Sequence, residues 1–70
     1  MKKIVKLDDL KDIKQVKQLS SILLGLPEID NIEYDLDLST LIIFLNSNLA
    51  DEIIKYYIKL TNLNILSISE

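Results

Sequence analysis

Residues 31–45 read Asn31-Ile32-Glu33-Tyr34-Asp35-Leu36-Asp37, then Leu38-Ser39-Thr40, then Leu41-Ile42-Ile43-Phe44-Leu45. The first seven alternate, with Ile32, Tyr34 and Leu36 on one side of an extended chain and Glu33, Asp35 and Asp37 on the other. Successive side chains of a strand point to opposite faces, so this is a strand with one buried face and one acidic, wet face. Its carboxylates also suit a sheet edge, where charge discourages pairing with a stranger. The last five residues are apolar throughout, as in a central strand that meets apolar material on both faces. The short connection between the two makes them an antiparallel hairpin.

Toward the N-terminus, residues 2–7 read as another strand, with Val5 and Leu7 on one face and Ile4 and Lys6 on the other. Asp8 and Asp9 end it and offer N-cap oxygens for a helix over roughly residues 11–24. In that helix Ile13, Val16, Leu19, Ile22, Leu23 and Leu26 form one stripe at three- and four-residue spacings, opposite Lys14, Lys17, Gln18 and Ser21. Gly25 suits a C-terminal stop, and Pro27 cannot continue the helix. Toward the C-terminus, Asn46, Ser47 and Asn48 are turn and N-cap residues before a second helix over 49–60, with Ile54, Tyr57 and Ile58 on its inner face. Asn62 suits a left-handed stop, and residues 63–69 form a last strand. The order is βαββαβ. Right-handed crossovers return it to an α+β ferredoxin-like sandwich, a four-stranded antiparallel sheet with two helices on one face. The 70 residues make a single domain, 1–70.

Composition excludes several chemistries. The chain has no Cys, no His and no Trp. A thiolate site is therefore impossible, as is a Ser-His or Cys-His nucleophile within the chain. An enzyme is not expected, and no cofactor is implied. The net charge of −3 argues against a nucleic-acid footprint. No apolar run approaches the ~18 residues of a membrane span, so no membrane insertion is expected. The N-terminus is charged from Lys2 and has no signal-peptide core, which makes cytoplasmic residence the expectation. Charge is uneven along the chain: Lys2, Lys3, Lys6, Lys11, Lys14 and Lys17 crowd the start, while 28–37 carry only acids.

One specific frame goes further. Val16, Leu19, Leu23 and Leu26 lead into Leu-Pro-Glu-Ile at 26–29, then Ile32-x-Tyr34-x-Leu36, Leu41-x-Ile43-x-Leu45, Ile54, Tyr57, Ile58 and Asn62-Leu63. In order, length and apolar frame the chain resembles the heavy-metal-associated domain of copper chaperones and copper-transporting ATPases. That family places Leu-Pro-Gly-Val after its first helix and Gly-Tyr after its second. Here Glu28 and Asn62-Leu63 stand at the differing positions. The family's metal loop is Gly-Met-x-Cys-x-x-Cys. By spacing, Leu10 falls at the Met position, and Asp12 and Gln15 at the two Cys positions. Leu10 can plug the core as Met does, but a carboxylate and an amide cannot replace two thiolates for a soft ion. The resemblance thus implies the fold and a docking style without copper transfer.

Three groups of residues are candidates for function. Asp8, Asp9 and Asp12 cluster near a helix start, where a weak hard-cation site competes with simple capping. Glu33, Asp35 and Asp37 project to an open face and read as a solvated edge. The third group is the sheet face away from the helices. If Val5, Leu7, Ile32, Tyr34, Leu36, Leu41, Ile43 and Leu45 face the helices, then Ile4, Ile42 and Phe44 face outward as neighbours. In the last strand either Leu66 with Ile68 or Ile65 with Leu63 joins them. The expected interface is Ile4, Ile42, Phe44 and Ile68, rimmed by Lys2 and Lys6. The expectation is a binding or assembly module acting on a protein partner or on itself as a homo-oligomer, by sheet-face packing or edge-strand pairing. An accessory role in metal homeostasis is the first alternative. A small-molecule sensor like the ACT regulatory domain is the second, although Asp8-Asp9-Leu10-Lys11 lacks that family's glycine-bearing turn.

Overall fold

The apolar run forms β3, Thr40–Leu45, in the interior of a four-stranded sheet. The computed structural model describes residues 1–70. The other elements are β1 (Lys2–Leu7), α1 (Ile13–Leu23), β2 (Ile29–Asp35), α2 (Asp51–Lys59) and β4 (Ile65–Ser69), in βαββαβ order. The strands lie in the order β2-β3-β1-β4, and every pairing is antiparallel. The fold is the ferredoxin-like sandwich.

One core serves all six elements. Val5 and Leu7 of β1 and Leu41, Ile43 and Leu45 of β3 meet Val16, Leu19 and Leu23 of α1 and Ile54 and Ile58 of α2. The alternation in β1 and β3 therefore sends one set of side chains to the helices and the other to the opposite sheet face. Helix α1 packs on β2, α2 packs on β4, and the helices touch each other.

Both edge strands are irregular. In β2, Ile29 opposes Leu45 and Asn31 opposes Phe44, so Asp30 is an extra residue. In β4, Ser67 opposes Lys6 and Ile65 opposes Leu7, so Leu66 is extra. A bulge of this kind bends an edge and blunts it as a template for another strand. The Asp30 bulge is held by Asn46, whose Nδ2 donates to the Asp30 carboxylate at 2.7 Å and to the Pro27 carbonyl at 2.9 Å.

Several local expectations change. The N-cap of α1 is Asp12, not Asp8 or Asp9, and the helix begins at Ile13. Gly25 has no positive φ, so its left-handed freedom goes unused. The left-handed residues are Ser39 (φ 50°) and Asn62 (φ 63°). Asn62 thus plays its expected part as the stop after α2. Helix α2 starts at Asp51 with Ala50 as an N-cap that makes no side-chain bond, so Asn46, Ser47 and Asn48 do not cap it. Tyr34 opposes Leu41 on the helix side, yet it is 46% exposed, because β2 is an edge strand and Tyr34 stands near its open end.

Candidate functional site

The β1–α1 loop is where the resemblance locates metal chemistry, and its side chains are already engaged. The Asp12 carboxylate accepts from the Lys14 N–H at 2.7 Å and the Gln15 N–H at 3.3 Å. In return the Gln15 carboxamide oxygen accepts from the Lys11 N–H at 2.7 Å and the Asp12 N–H at 3.1 Å. Its Nε2 donates to the Asp9 carbonyl at 3.0 Å. This is a reciprocal capping box, which satisfies N–H groups that the first helical turn leaves without partners.

Leu10, at the position of the family's Met, is fully buried in the core. Its backbone is fixed by Ser39 of the β2–β3 turn. The Ser39 hydroxyl accepts from the Leu10 N–H at 3.0 Å and donates to the Leu10 carbonyl at 3.3 Å. The Ser39 carbonyl accepts from the Leu7 N–H at 2.9 Å. Sequence reading missed this clamp, because nothing along the chain links Ser39 to Leu10.

The acidic cluster does not converge. Asp9 pairs with Lys11 at 3.0 Å in solvent, Asp12 caps α1, and no three carboxylates come together as a metal site. The donor set does not fit copper(I), which selects thiolate and thioether sulfur. Two oxygens bound to their own backbone are a poor offer even to a hard cation.

The sheet face away from the helices holds the remaining candidates. Strand pairing puts Ile4 opposite Ile42, Lys2 opposite Phe44 and Lys6 opposite Thr40 on this side. On β2, Asn31, Glu33 and Asp35 stand opposite Phe44, Ile42 and Thr40. Ile4, Ile42 and Phe44 are half-buried and contiguous, while Lys2, Lys6, Glu33 and Asp35 are exposed. Ile68 does not belong to the group. It opposes Val5 and packs against the core, as does Ile65, while Leu66 is 64% exposed. Neither expected apolar pair of β4 forms an outward column; Ser67 and Ser69 stand opposite Lys6 and Ile4 there, because the extra residue at Leu66 breaks the period of two.

Lys3 is a residue that sequence reading passed over. It opposes Ile43 on the helix side, and its side chain is only 13% exposed. Its ammonium donates to the Leu49 carbonyl at 2.7 Å and pairs with the Asp51 carboxylate at the start of α2. Between α2 and β4 runs an open groove of about 560 Å³, lined by Glu52, Lys55, Tyr56, Lys59, Leu66 and Ile68 among others. Tyr56 is 63% exposed there, and its ring meets the half-buried Tyr57 edge-on, with centroids 5.2 Å apart. Charges of both signs line this groove.

No protein-family model and no curated protein matches the sequence. Among the solved structures that match it in shape are two metal-binding domains. One is the yeast copper transporter domain CCC2A, studied in apo and Cu(I)-loaded states. It is 13% identical, with 94% of each chain covered and a TM-score of 0.80. The other is the heavy metal binding protein TM0320 from Thermotoga maritima. It is also 13% identical, with 100% of this chain and 98% of that chain covered and a TM-score of 0.79. The chain has the fold of these metal-binding domains. It carries that fold, the expected βαββαβ sandwich, without a single cysteine, so a Cys-x-x-Cys loop is absent. No helix is long and apolar enough to cross a membrane.

Proposed function

We propose that the chain is a non-catalytic, cytoplasmic binding or assembly module of one domain, acting through protein–protein contacts or self-association. It uses the fold of a copper-binding domain without the thiolate chemistry. The observation that carries this reading is the pair Asp12 and Gln15. Both stand where the resemblance puts thiolates, and both are occupied in capping the first helix. A site rebuilt as a helix cap retains the scaffold and its surfaces but offers nothing to a soft ion. Catalysis has little to draw on, since the chain has neither Cys nor His to serve as nucleophile or imidazole base.

The test is a copper(I) competition against a chromophoric chelator. The unaltered chain is expected to leave the chelator loaded. The double variant Asp12→Cys with Gln15→Cys is expected to withdraw copper. Withdrawal by the unaltered chain as strong as that by the double variant overturns the reading.

A second reading draws on the likeness to the yeast copper transporter domain: an accessory role in metal transport, in which another chain supplies the thiolates. It expects the unaltered chain to co-elute with a copper-loaded thiolate domain in gel filtration.

A further inference from the structure

The open sheet face sorts its side chains by strand. Acids stand on β2 alone (Glu33, Asp35), lysines on β1 alone (Lys2, Lys6), and Ile42 and Phe44 of β3 with Ile4 of β1 lie between. Neighbouring strands are about 4.8 Å apart, so the acidic and basic columns are separated by about 10 Å across apolar side chains. None of these four charges forms an ion pair within the chain; the ion pairs present are Lys3–Asp51 and Lys11–Asp9. On the far side of β1, β4 sets the small polar Ser67 and Ser69 opposite Lys6 and Ile4.

We infer that this face pairs with the same face of a second copy, about a two-fold axis parallel to the strands and midway between β1 and β3. This rests on the binding-module reading and names its partner. The rotation lays Ile4 on the partner's Ile42. It carries the partner's β2 over β4, where the small serines leave room, so that the partner's Glu33 and Asp35 come beside Lys2 and Lys6. Each contact occurs twice, as an isologous interface requires. The charge pattern rejects the other simple two-fold. An axis across the strands stacks β2 on β2 and β1 on β1, setting acid on acid and lysine on lysine. Bulges at Asp30 and Leu66 blunt both sheet edges, which makes face packing the better route than edge pairing.

Five residues at about 3.3 Å along four strands at about 4.8 Å give a face of roughly 300 Å² in projection, and about 800–1,000 Å² buried in total once side-chain relief is counted. That is the small end of specific interfaces, consistent with micromolar association.

The experiment is sedimentation equilibrium of the full chain at micromolar to millimolar concentration, with far-UV circular dichroism of every variant. The unaltered chain is expected to dimerise. Lys6→Glu and Asp35→Lys are surface changes expected to preserve the fold and to weaken the dimer about tenfold or more each. Combined in one chain they restore opposite charges across the two-fold, and affinity is expected to return to within about threefold. A chain monomeric up to millimolar concentration overturns the inference. So does a dimer indifferent to both single changes, or one the charge swap fails to restore. None of these outcomes touches the binding-module reading, which fails instead on copper uptake by the unaltered chain.

Discussion

Asp12 and Gln15 hold each other's backbone: the Asp12 carboxylate accepts from the Gln15 N–H at 3.3 Å, and the Gln15 carboxamide oxygen accepts from the Asp12 N–H at 3.1 Å. Each side chain depends on the other to fix the first turn of α1. Asp12→Ala is expected to cost about 1 kcal/mol, the usual worth of an N-cap oxygen, and to lower the melting temperature by about 4–8 °C. Gln15→Ala is expected to cost less. The double change is expected to cost clearly less than the sum, because either single change already opens the box. Thermal melts of the three variants measure this. Additive losses count against a reciprocal cap.

Ser39 is the second restraint on the same loop, and it acts from across the sheet. Its hydroxyl serves both the N–H and the carbonyl of Leu10. Ser39→Ala removes both bonds and leaves a part-buried N–H without its partner, which costs about 1–2 kcal/mol. The same change keeps a side chain in a left-handed backbone, which Ser39→Gly relieves. Ser39→Gly is therefore expected to be the milder variant. In both, the Leu10 amide is expected to exchange with deuterium faster than the amides of β1, a local opening that a global loss of stability does not produce.

Lys3 turns a core-facing strand position into an anchor for α2. Asp51 is 42% exposed, so its carboxylate returns to water cheaply when the pair is broken. The bond from Lys3 to the Leu49 carbonyl survives loss of Asp51. Asp51→Asn is thus expected to cost under about 0.5 kcal/mol. Lys3→Ala loses both bonds and the packing of the aliphatic stem, and is expected to cost about 1–2 kcal/mol. Urea melts at low and high salt separate the two contributions, since only the ion pair responds to salt.

The fold was legible because its two strongest signals are local. The acidic alternation of residues 31–37 and the apolar run of 41–45 report strand period and burial directly, and the stripes on α1 and α2 report the face that meets the sheet. The metal-loop positions were legible by spacing, and Leu10 fills the core as expected. What stayed hidden depends on partners distant in sequence. Ser39 and Leu10 are 29 residues apart, and Lys3 and Asp51 are 48 apart. The true cap of α1 was masked by Asp8 and Asp9, which carry the same capping chemistry a few residues early. Ile4, Ile42 and Phe44 fell on the expected face because β1 and β3 keep strict alternation through those positions.

Ile68 fell on the wrong face because alternation fails in β4, and this has a direct test. Ile65 and Ile68 are three residues apart, so in a regular strand they would point to opposite faces. The extra residue at Leu66 lets both pack against the core and pushes Leu66 into solvent at 64% exposure. Ile68→Ala is expected to cost about 1–2 kcal/mol, less than the 2–5 of a fully buried site because Ile68 is half-buried. Leu66→Ala is expected to stay within about 0.5 kcal/mol. Deleting Leu66 removes the extra residue and leaves Ile65 two positions from Ile68, so in the regular ladder that results both still face the core. That deletion is therefore expected to cost less than Ile68→Ala, and urea melts of the three variants check the order. If Leu66→Ala costs as much as Ile68→Ala, the two share the core face of a regular β4 and Ile65 turns outward beside Ser67 and Ser69.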